Sequence, residues 1–258
     1  IILFTLFISS HFLQAQLSNT HYLPPLTSSS DKIDQQFIYI STPSITPVSF
    51  TITPIGKPLS NIISGIVTNA TPFVTGNEND QLFLQQTSPS IITDKGFIIE
   101  SVAPIYVSVR IRSMEKTSGD DSTRRQGAAI VSKGSSAFGT EFRTGGFANN
   151  GSANSYLNFI SVIATEDGTS VKFPESSAAM NIVGYTGTYP ISINLNKGES
   201  YILTTIQGDA NKLIGTLTQS NKPIVVNCGS AAGSFDSGSK VDYGIDQIVG
   251  SDKIEKNI

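Results

Sequence analysis

Short runs of apolar or alternating residues, separated by turn residues, make up most of this chain after Gln36. The stretches FIYIST (37–42) and IYVSVRI (105–111) alternate apolar and polar positions, as a strand with one buried face does. Gly, Pro, Asn and Asp bound most of these runs, which is typical of strands joined by turns. No long segment has helical periodicity, and 175–182 has room for one helical turn only. We therefore predict an all-β protein.

The predicted strands are short and follow one another closely. They are residues 37–42, 48–52, 82–84, 96–101, 105–111, 156–165, 170–173, 189–195, 200–206, 213–218 and 223–228.

The second half of this strand pattern repeats the first. Each of five stretches has a partner about 120 residues later, in the same order. The pairs are 37–42 with 159–164, 48–50 with 171–173, 82–84 with 201–203, 98–109 with 217–228, and 130–134 with 248–252. One such match means little, because apolar strand residues are common. Five in order predict two tandem, internally repeated antiparallel β-sandwich modules.

The domain limits follow from this repeat and from the N-terminal composition. Residues 1–15 (IILFTLFISSHFLQA) are apolar, end in a small residue and precede polar QLSNT, which is typical of a secretory signal peptide. The alternative is a buried N-terminal strand or helix. The stretch lacks a starting Met and basic residues, so its start is expected to be truncated. We expect a Pro/Ser-rich lead-in segment at 16–34, the first module at 35–145 and the second at 155–258.

The end of the second copy differs from the end of the first. In the first copy, IVSKG (130–134) leads into a further predicted strand at about 140–147. In the second copy the chain stops at Ile258, where that strand would begin. We therefore expect the second module to be cut short and the sequence to be a fragment of a longer protein.

Cys228, in KPIVVNCGS (222–230), is the one cysteine of the chain. One cysteine forms no internal disulfide, and export without disulfides is common for bacterial surface proteins. The repeat places Cys228 at the position of Val109, which predicts a small buried residue. A nucleophilic cysteine is the alternative, but it needs a base. The two histidines are His11, in the presumed signal, and His21, in the lead-in segment.

Four stretches together resemble a known family. They are ATEDGTSVKF (164–173), LNKGESYIL (195–203), GTLTQSNKPIVVNCGS (215–230) and VDYGIDQIVGSDKI (241–254). They are similar to the N-terminal region of IgGFc-binding-protein-like proteins, which is frequent in large bacterial secreted or surface proteins. The resemblance covers about residues 35–258, with a looser first copy.

The resemblance implies β-sandwich modules, export, and adhesion or binding without known chemistry. Bacterial members often end in a sorting or anchoring domain, which this sequence lacks. Gly250 stands where the family usually has Pro, and the paired cysteines of animal members are absent. The binding activity that names the family is not carried over to this chain.

Charge and metal-ligand counts remove several classes of function. Charged residues are 14% of the chain, the net charge is −3 and no Lys/Arg cluster stands out, so nucleic-acid binding has no electrostatic support. Two histidines and one cysteine do not make a His/Cys metal site. Acidic loops leave calcium open as an alternative to ordinary turns, and none has the spacing of an EF-hand. They lie at 76–80, 118–122, 165–169, 208–211 and 236–242.

A carboxylate pair is the remaining catalytic candidate. Asp242 and Asp246, in DYGID, would share one face of a strand, and paired carboxylates can support glycoside hydrolysis. The alternative is a charged strand edge that resists aggregation. The chain has no Trp, so a sugar-stacking platform would need tyrosines. The candidates are Tyr185, Tyr189, Tyr201 and Tyr243.

These observations favour a non-catalytic extracellular adhesion or binding module at the N-terminus of a larger bacterial protein. We predict no catalytic, cofactor-binding or metal-binding residues and no cofactor. The expected partner is an extracellular protein or glycan, besides downstream domains of the same polypeptide. We expect no nucleic-acid partner and no membrane span in the mature chain. The alternatives are a secreted glycan-directed hydrolase, or its accessory module, with carboxylates between the modules, and a structural spacer.

Overall fold

The computed structural model of the chain describes residues 16–28, 33–77, 81–85, 89–113, 126–148, 157–173, 180–206, 208–234 and 241–253. Within these ranges the regular structure is β-strand with short 3-10 turns, which confirms the predicted all-β fold of two antiparallel β-sandwich modules. No helix in the described part of the chain has the length and apolar character needed to cross a membrane. The presumed signal peptide and most of the possible helical turn at 175–182 lie outside the described residues.

In the described ranges, fourteen strands form two seven-stranded sheets. The first sheet contains β1 (Ser18–Leu23), β2 (Ile33–Ser41), β3 (Val48–Pro54), β4 (Ile63–Val67), β5 (Phe73–Asn77), β6 (Phe97–Ser113) and β7 (Gly127–Val131). The second contains β8 (Gly139–Arg143), β9 (Leu157–Ala164), β10 (Thr169–Phe173), β11 (Ile191–Leu195), β12 (Ser200–Thr204), β13 (Leu217–Gly233) and β14 (Asp242–Ile248). The 3-10 turns are Leu59–Asn61, Gly134–Ala137, Ala210–Leu213 and Ser251–Lys253.

The long strand β6 joins the two layers of the first module. Its first part lies between β3 and β1, and its second part lies between β2 and β7. The layers are therefore β4-β3-β6-β1 and β5-β2-β6-β7. Their inward side chains, such as Phe50 and Ile99 from one layer and Ile38 and Val107 from the other, pack into one core. Sequence analysis predicted two strands, 96–101 and 105–111, where the structure has one.

Strand β13 has the same role in the second module, and the neighbours follow the same order. The layers there are β11-β10-β13-β8 and β12-β9-β13-β14. Pro104 in β6 and Pro223 in β13 both lie where pairing passes from one layer to the other. Proline lacks the N–H that a continuous ladder requires, so this transition tolerates it. The prolines are thus inside the long strands, not at strand starts.

Strand register shows which residues correspond between the modules. Val109 pairs with Ile38 on β2, and Cys228 pairs with Ile160 on β9, which agrees with the predicted alignment of these strands. The alignment of 48–50 with 171–173 is wrong by two residues, because Phe50 and Val171 are the residues that pair with equivalent serines on β6 and β13.

Two other sequence matches fail for physical reasons. Residues 82–84 form no strand and make a single bridge, Leu26 to Phe83, so the counterpart of β12 is β5. The match of 130–134 with 248–252 is also displaced by two residues, since Ile130 corresponds to Asp246 through their pairing with Val109 and Cys228. Apolar composition matched in both cases, but hydrogen-bond register did not.

The observed strand pairing differs from the predicted domain limits. β1 lies inside the segment 16–34 that was expected to have no periodic structure, and it pairs with β6. β8 lies in the segment assigned to the end of the first module, but it pairs with β13. β8 is therefore the first strand of the second module, in the place that β1 has in the first. The expected loss of a final strand from the second module rested on assigning β8 to the first. Residues 254–258 lie outside the described residues.

The central strands of the second module's β12-β9-β13-β14 layer are buried on both faces. Every residue of β9 is buried, and so is β13 from Ile224 to Gly233. One face packs on the second module's own core, through residues such as Ile160 and Val226. The other face packs against the first module, where Phe159, Ile202 and Ile245 join the first core. The contact between the modules is therefore an apolar joint, and polar groups there need partners.

Two amide side chains in this joint satisfy the edge of β1. Asn227 Nδ2 donates to the carbonyl of Pro24 at 3.1 Å, and Gln247 Nε2 donates to the carbonyl of Tyr22 at 3.0 Å. Gln247 Oε1 accepts from the Lys133 N–H at 2.7 Å. Buried carbonyls without such donors would cost the desolvation energy of each group. The edge of the first module is thus sealed by side chains of the second.

Each module has its first strand in contact with the turn that follows its last strand. In the first module the Ser135 N–H donates to Ser18 Oγ at 3.1 Å. In the second module the Thr140 N–H donates to the Asp252 carboxylate at 3.3 Å. The start and the end of each module therefore lie side by side.

The joint generates a stability prediction. Asn227→Ala leaves the Pro24 carbonyl buried without its donor, so we expect the free energy of unfolding to fall by about 1–3 kcal/mol. The matched control is Ser108→Ala, at the corresponding position of the first module, where the loss should stay within about 0.5 kcal/mol. Urea denaturation followed by circular dichroism measures both, and equal losses would contradict the capping role of Asn227.

Candidate functional site

A groove crosses the outer surface of β3, β4 and the first part of β6. It encloses about 660 Å³. Its floor and walls include Ser49, Thr51, Ser64, Ile66, Glu100 and Val102. These side chains share one face because they alternate with buried residues along each strand, and cross-strand pairing places Thr51 between Ser64 and Glu100. We name this feature the outer groove.

Beneath the outer groove, the core side of β4 has room only for a glycine. Gly65 on β4 pairs with Phe50 on β3. A Cβ atom at Gly65 would lie 2.5 Å from the Phe50 ring, so any larger residue would displace that ring. Phe50 packs edge-on against Phe73, with ring centroids 5.0 Å apart. The core aromatic pair thus requires glycine at this point of the groove.

The chemistry of the outer groove is aliphatic and hydroxylic, with one carboxylate. Val102 on β6 is 72% exposed and Ile66 on β4 is 63% exposed, and they lie on either side of β3 on the same face of the sheet. Ser49, Thr51 and Ser64 place hydroxyl groups between them, and Glu100 adds a negative charge. Phe50, the aromatic lining residue, is only 2% exposed. The groove therefore offers apolar contact and hydrogen bonds, but no exposed ring for stacking.

Cys228 lies in the core of the second module. It is 2% exposed, among Ile160, Ile224 and Val226. Burial, more than any other influence, raises the pKa of its thiol to about 11, although the Gly145 N–H, 3.2 Å from Sγ, lowers it. A thiol of this kind stays protonated at neutral pH and is a poor nucleophile.

His21 and Ser132 form a buried pair that sequence analysis did not find. Ser132 Oγ lies 3.0 Å from His21 Nδ1 and 3.0 Å from Gln247 Oε1. The other ring nitrogen lies 3.1 Å from the carbonyls of Ser18 and Ile105, so it carries the proton and donates to them. Both residues of the pair are 0% exposed, which leaves a substrate no access. The arrangement supports a structural role at the joint.

The repeat contains a sequence signal that His21 occupies a core position. Strand register aligns His21 on β1 with Phe142 on β8, and both are fully buried. The sequence pattern places β1 in an irregular segment, which hides this alignment. Correct placement of β8 in the second module would have revealed His21 as a core position.

The carboxylates of Asp242 and Asp246 both serve the boundary between the modules. Asp242 Oδ1 accepts a hydrogen bond from the Gly127 N–H on β7 at 2.9 Å. Asp246 lies 3.3 Å from Lys133 Nζ, and its side chain is 58% exposed. These contacts join β14 to β7 and to Lys133, which follows β7. They support the strand-edge interpretation over a pair of glycosidase carboxylates.

The described acidic loops use their carboxylates internally. In the loop at 165–169, Asp167 Oδ1 accepts from the Lys197 N–H at 2.9 Å. Burial alone would raise the pKa of Asp209, but hydrogen bonds from Lys212 and from the backbone and side chain of Asn181 lower it. No cluster of three or more metal-ligating side chains occurs in the described ranges. Residues 78–80, 118–122 and 236–240 of the other loops lie outside those ranges.

The four candidate tyrosines do not form one surface. Tyr201 and Tyr243 are buried, at 6% and 5% exposed, and lie in different cores. Tyr185 and Tyr189 pack against each other, with hydroxyls that donate to the carbonyls of Thr188 and Met180.

A family model described as IgGFc binding protein matches residues 127–257, which is more than half of the 258-residue chain. The chain belongs to the IgGFc-binding protein family. The match covers β7 and all strands of the second module. The predicted extension of the resemblance to residue 35 is not part of the match. No curated protein and no solved structure matches the chain.

The buried thiol gives a labelling prediction. Native Cys228 should resist a thiol reagent at neutral pH and should react fully after denaturation, because burial keeps it protonated and inaccessible. Cys228→Val should change the free energy of unfolding by less than about 1.5 kcal/mol, as a swap of similar volume that reproduces Val109. Fast labelling of the folded protein, followed by mass spectrometry, would overturn the core assignment.

The buried imidazole gives a pH prediction. Burial, its largest influence, lowers the pKa of His21 below its usual 6.5, while the Ser18 and Ile105 carbonyls oppose this shift. The unfolded chain therefore binds the proton more tightly, and stability is lost as pH falls through 6.5 toward the folded pKa.

The measurement is urea unfolding between about pH 7.5 and about pH 5.5. Wild type should lose stability over this interval, and His21→Gln, although less stable throughout, should show a flatter profile. Parallel profiles would show that His21 does not cause the loss.

Proposed function

We propose that this protein is a non-catalytic extracellular binding module that recognises a protein partner through the outer groove. The observation that carries the proposal is the pair of exposed aliphatic side chains, Val102 and Ile66, beside the hydroxyl-lined floor. An apolar patch with a polar surround is typical of a protein interface. Membership of a family described as IgGFc binding protein also supports binding over catalysis.

A protein partner fits the outer groove better than a glycan does. Sugar binding commonly uses an exposed aromatic ring, and Phe50 is covered. β4 is also an edge strand, bonded to β3 on one side. An extended segment of a partner can place small apolar side chains between Ile66 and Val102, and its amide groups can reach Ser49, Thr51 and Ser64.

The contacts of the catalytic candidates support the non-catalytic part of the proposal. Cys228 is in a core, and the His21–Ser132 pair is closed to substrate. Asp242 and Asp246 bond across the module boundary. Export of the chain rests on the apolar N-terminal stretch 1–15. Bacterial origin, surface display and downstream domains remain predictions from the sequence.

The test is binding of the protein to parallel arrays of extracellular proteins and of glycans. We expect hits among the proteins. Val102→Arg and Ile66→Arg should each weaken such binding by roughly tenfold or more, because a charge in the apolar contact must be desolvated. The matched control is Ile45→Arg, since Ile45 is also highly exposed, at 81%, but does not line the outer groove.

Two results would count against the proposal. Binding confined to glycans would make the partner class wrong. Protein binding that persists in both groove variants, with unchanged melting temperatures, would place the binding site elsewhere on the molecule.

A further inference from the structure

The joint between the modules has a counterpart on the first module that no other described part of the chain covers. In the second module, the outward face of β12-β9-β13-β14 receives β1 and the chain that follows it. The corresponding face of the first module is the outward side of β5-β2-β6-β7. It bears Phe37, Tyr39, Val74, Tyr106 and Arg110. We name it the outer face; it is separate from the outer groove.

The outer face keeps the apolar character of the joint at several positions. Phe37 corresponds to Phe159 and Val74 to Ile202, two residues that are buried in the joint. Val74 is 49% exposed and Tyr106 is 39% exposed. The outer face therefore exposes apolar side chains at positions whose counterparts are buried in the joint.

The main difference on the outer face is a positive charge. Arg110 pairs with Phe37, and its counterpart Gly229 pairs with Phe159. The Arg110 guanidinium lies over the Tyr39 ring, 4.8 Å from its centroid, so the charge is held on the face. An exposed cation of this kind favours a partner surface that carries carboxylates.

The second module carries the matching surface. In the joint, Ile130 of the first module is 2% exposed and borders the same small gap as Asn227. The counterpart of Ile130 is Asp246, through equivalent pairing with Val109 and Cys228. Its side chain is 58% exposed beside Lys133. We name β8, residues 144–148 and Asp246 the open flank, since they correspond to β1, the segment that follows it and Ile130.

Arg110, where the second module has Gly229, and Asp246, where the first module has Ile130, carry opposite charges. Ile130 lies near Asn227, whose counterpart is Ser108, and Arg110 is two residues from Ser108 on the same face. A contact that repeats the geometry of the joint would therefore bring Asp246 of one molecule close to Arg110 of another.

We infer that copies of this protein associate head to tail, with the open flank of one copy docked on the outer face of the next. Because the two surfaces differ, the contact is heterologous and extends into an open chain of molecules. Ser108 and Val131 stand in place of Asn227 and Gln247, so the intermolecular contact lacks the two amide donors of the internal joint. It should be weaker and salt-sensitive. The inference does not depend on the function proposed for the outer groove.

Sedimentation velocity of the wild-type chain tests the association, at concentrations up to about 0.5 mM and at low salt. The average mass should rise with concentration and fall back as salt is added. Arg110→Glu and Asp246→Arg should each weaken association by at least about tenfold. The matched control is Lys172→Glu, on β10 and outside both surfaces, which should associate as wild type does.

Mixing identifies the head-to-tail geometry. Arg110→Glu and Asp246→Arg each place like charges at the contact between identical copies, but in an equimolar mixture both kinds of mixed contact join opposite charges, so the mixture should form longer, alternating chains. The double variant, with both charges exchanged, should again form longer chains. Asp246→Asn replaces Asp246→Arg if thermal melting shows that the new arginine beside Lys133 unfolds the protein.

A wild-type protein that stays monomeric over the whole concentration range overturns the inference. A closed wild-type dimer, or association by Asp246→Arg alone that equals wild type, would also overturn it, because the outer face would then be pairing with something other than the open flank.

Discussion

The architecture depends on the hydrogen bonds by which Asn227 and Gln247 complete the edge of β1. An edge strand that is packed against an apolar sheet keeps carbonyl groups that water cannot reach. Asn227 and Gln247 bring two amide donors to those carbonyls from a side of the sheet whose other side chains are mostly apolar, with the small polar residues Ser161 and Ser200 among them. Without them, close packing of the modules would bury unpaired oxygens. With them, β1 belongs to the first module by its pairing and to the second by its side-chain contacts.

The residues at corresponding positions of the two modules differ because the joint covers different surfaces in each module. Corresponding positions carry Val109 and Cys228 where both modules need a small core residue. They carry Ile130 and Asp246 where one module is covered and the other is open to solvent. The same sandwich thus keeps its inner faces apolar and changes its outer faces according to what lies against them.

The strands with strong alternation could be predicted from the sequence, and so could the core position of Cys228, because both follow from one apolar pattern. Register could not be predicted as well: apolar triplets match each other at several offsets, and only hydrogen-bond pairing separates Phe50 from Val48 as the counterpart of Val171. β1 and β8 were misassigned because a strand's module is set by its partner far away in the chain. The outer groove left no sequence signal, since Ser49 and Val102 have no shared motif and meet only across paired strands.

The adjacent ends of each module have a mechanical consequence. Ser18 touches Ser135 in the first module, and Thr140 touches Asp252 in the second. Tension applied along the polypeptide would therefore enter and leave a module at neighbouring points. The pull would fall first on these short contacts and on the ends of the outermost strands, and only afterwards on the ladders of β6 and β13. Under load the protein would yield by peeling from its entry points, while the two-faced sheet at its centre stays intact longest.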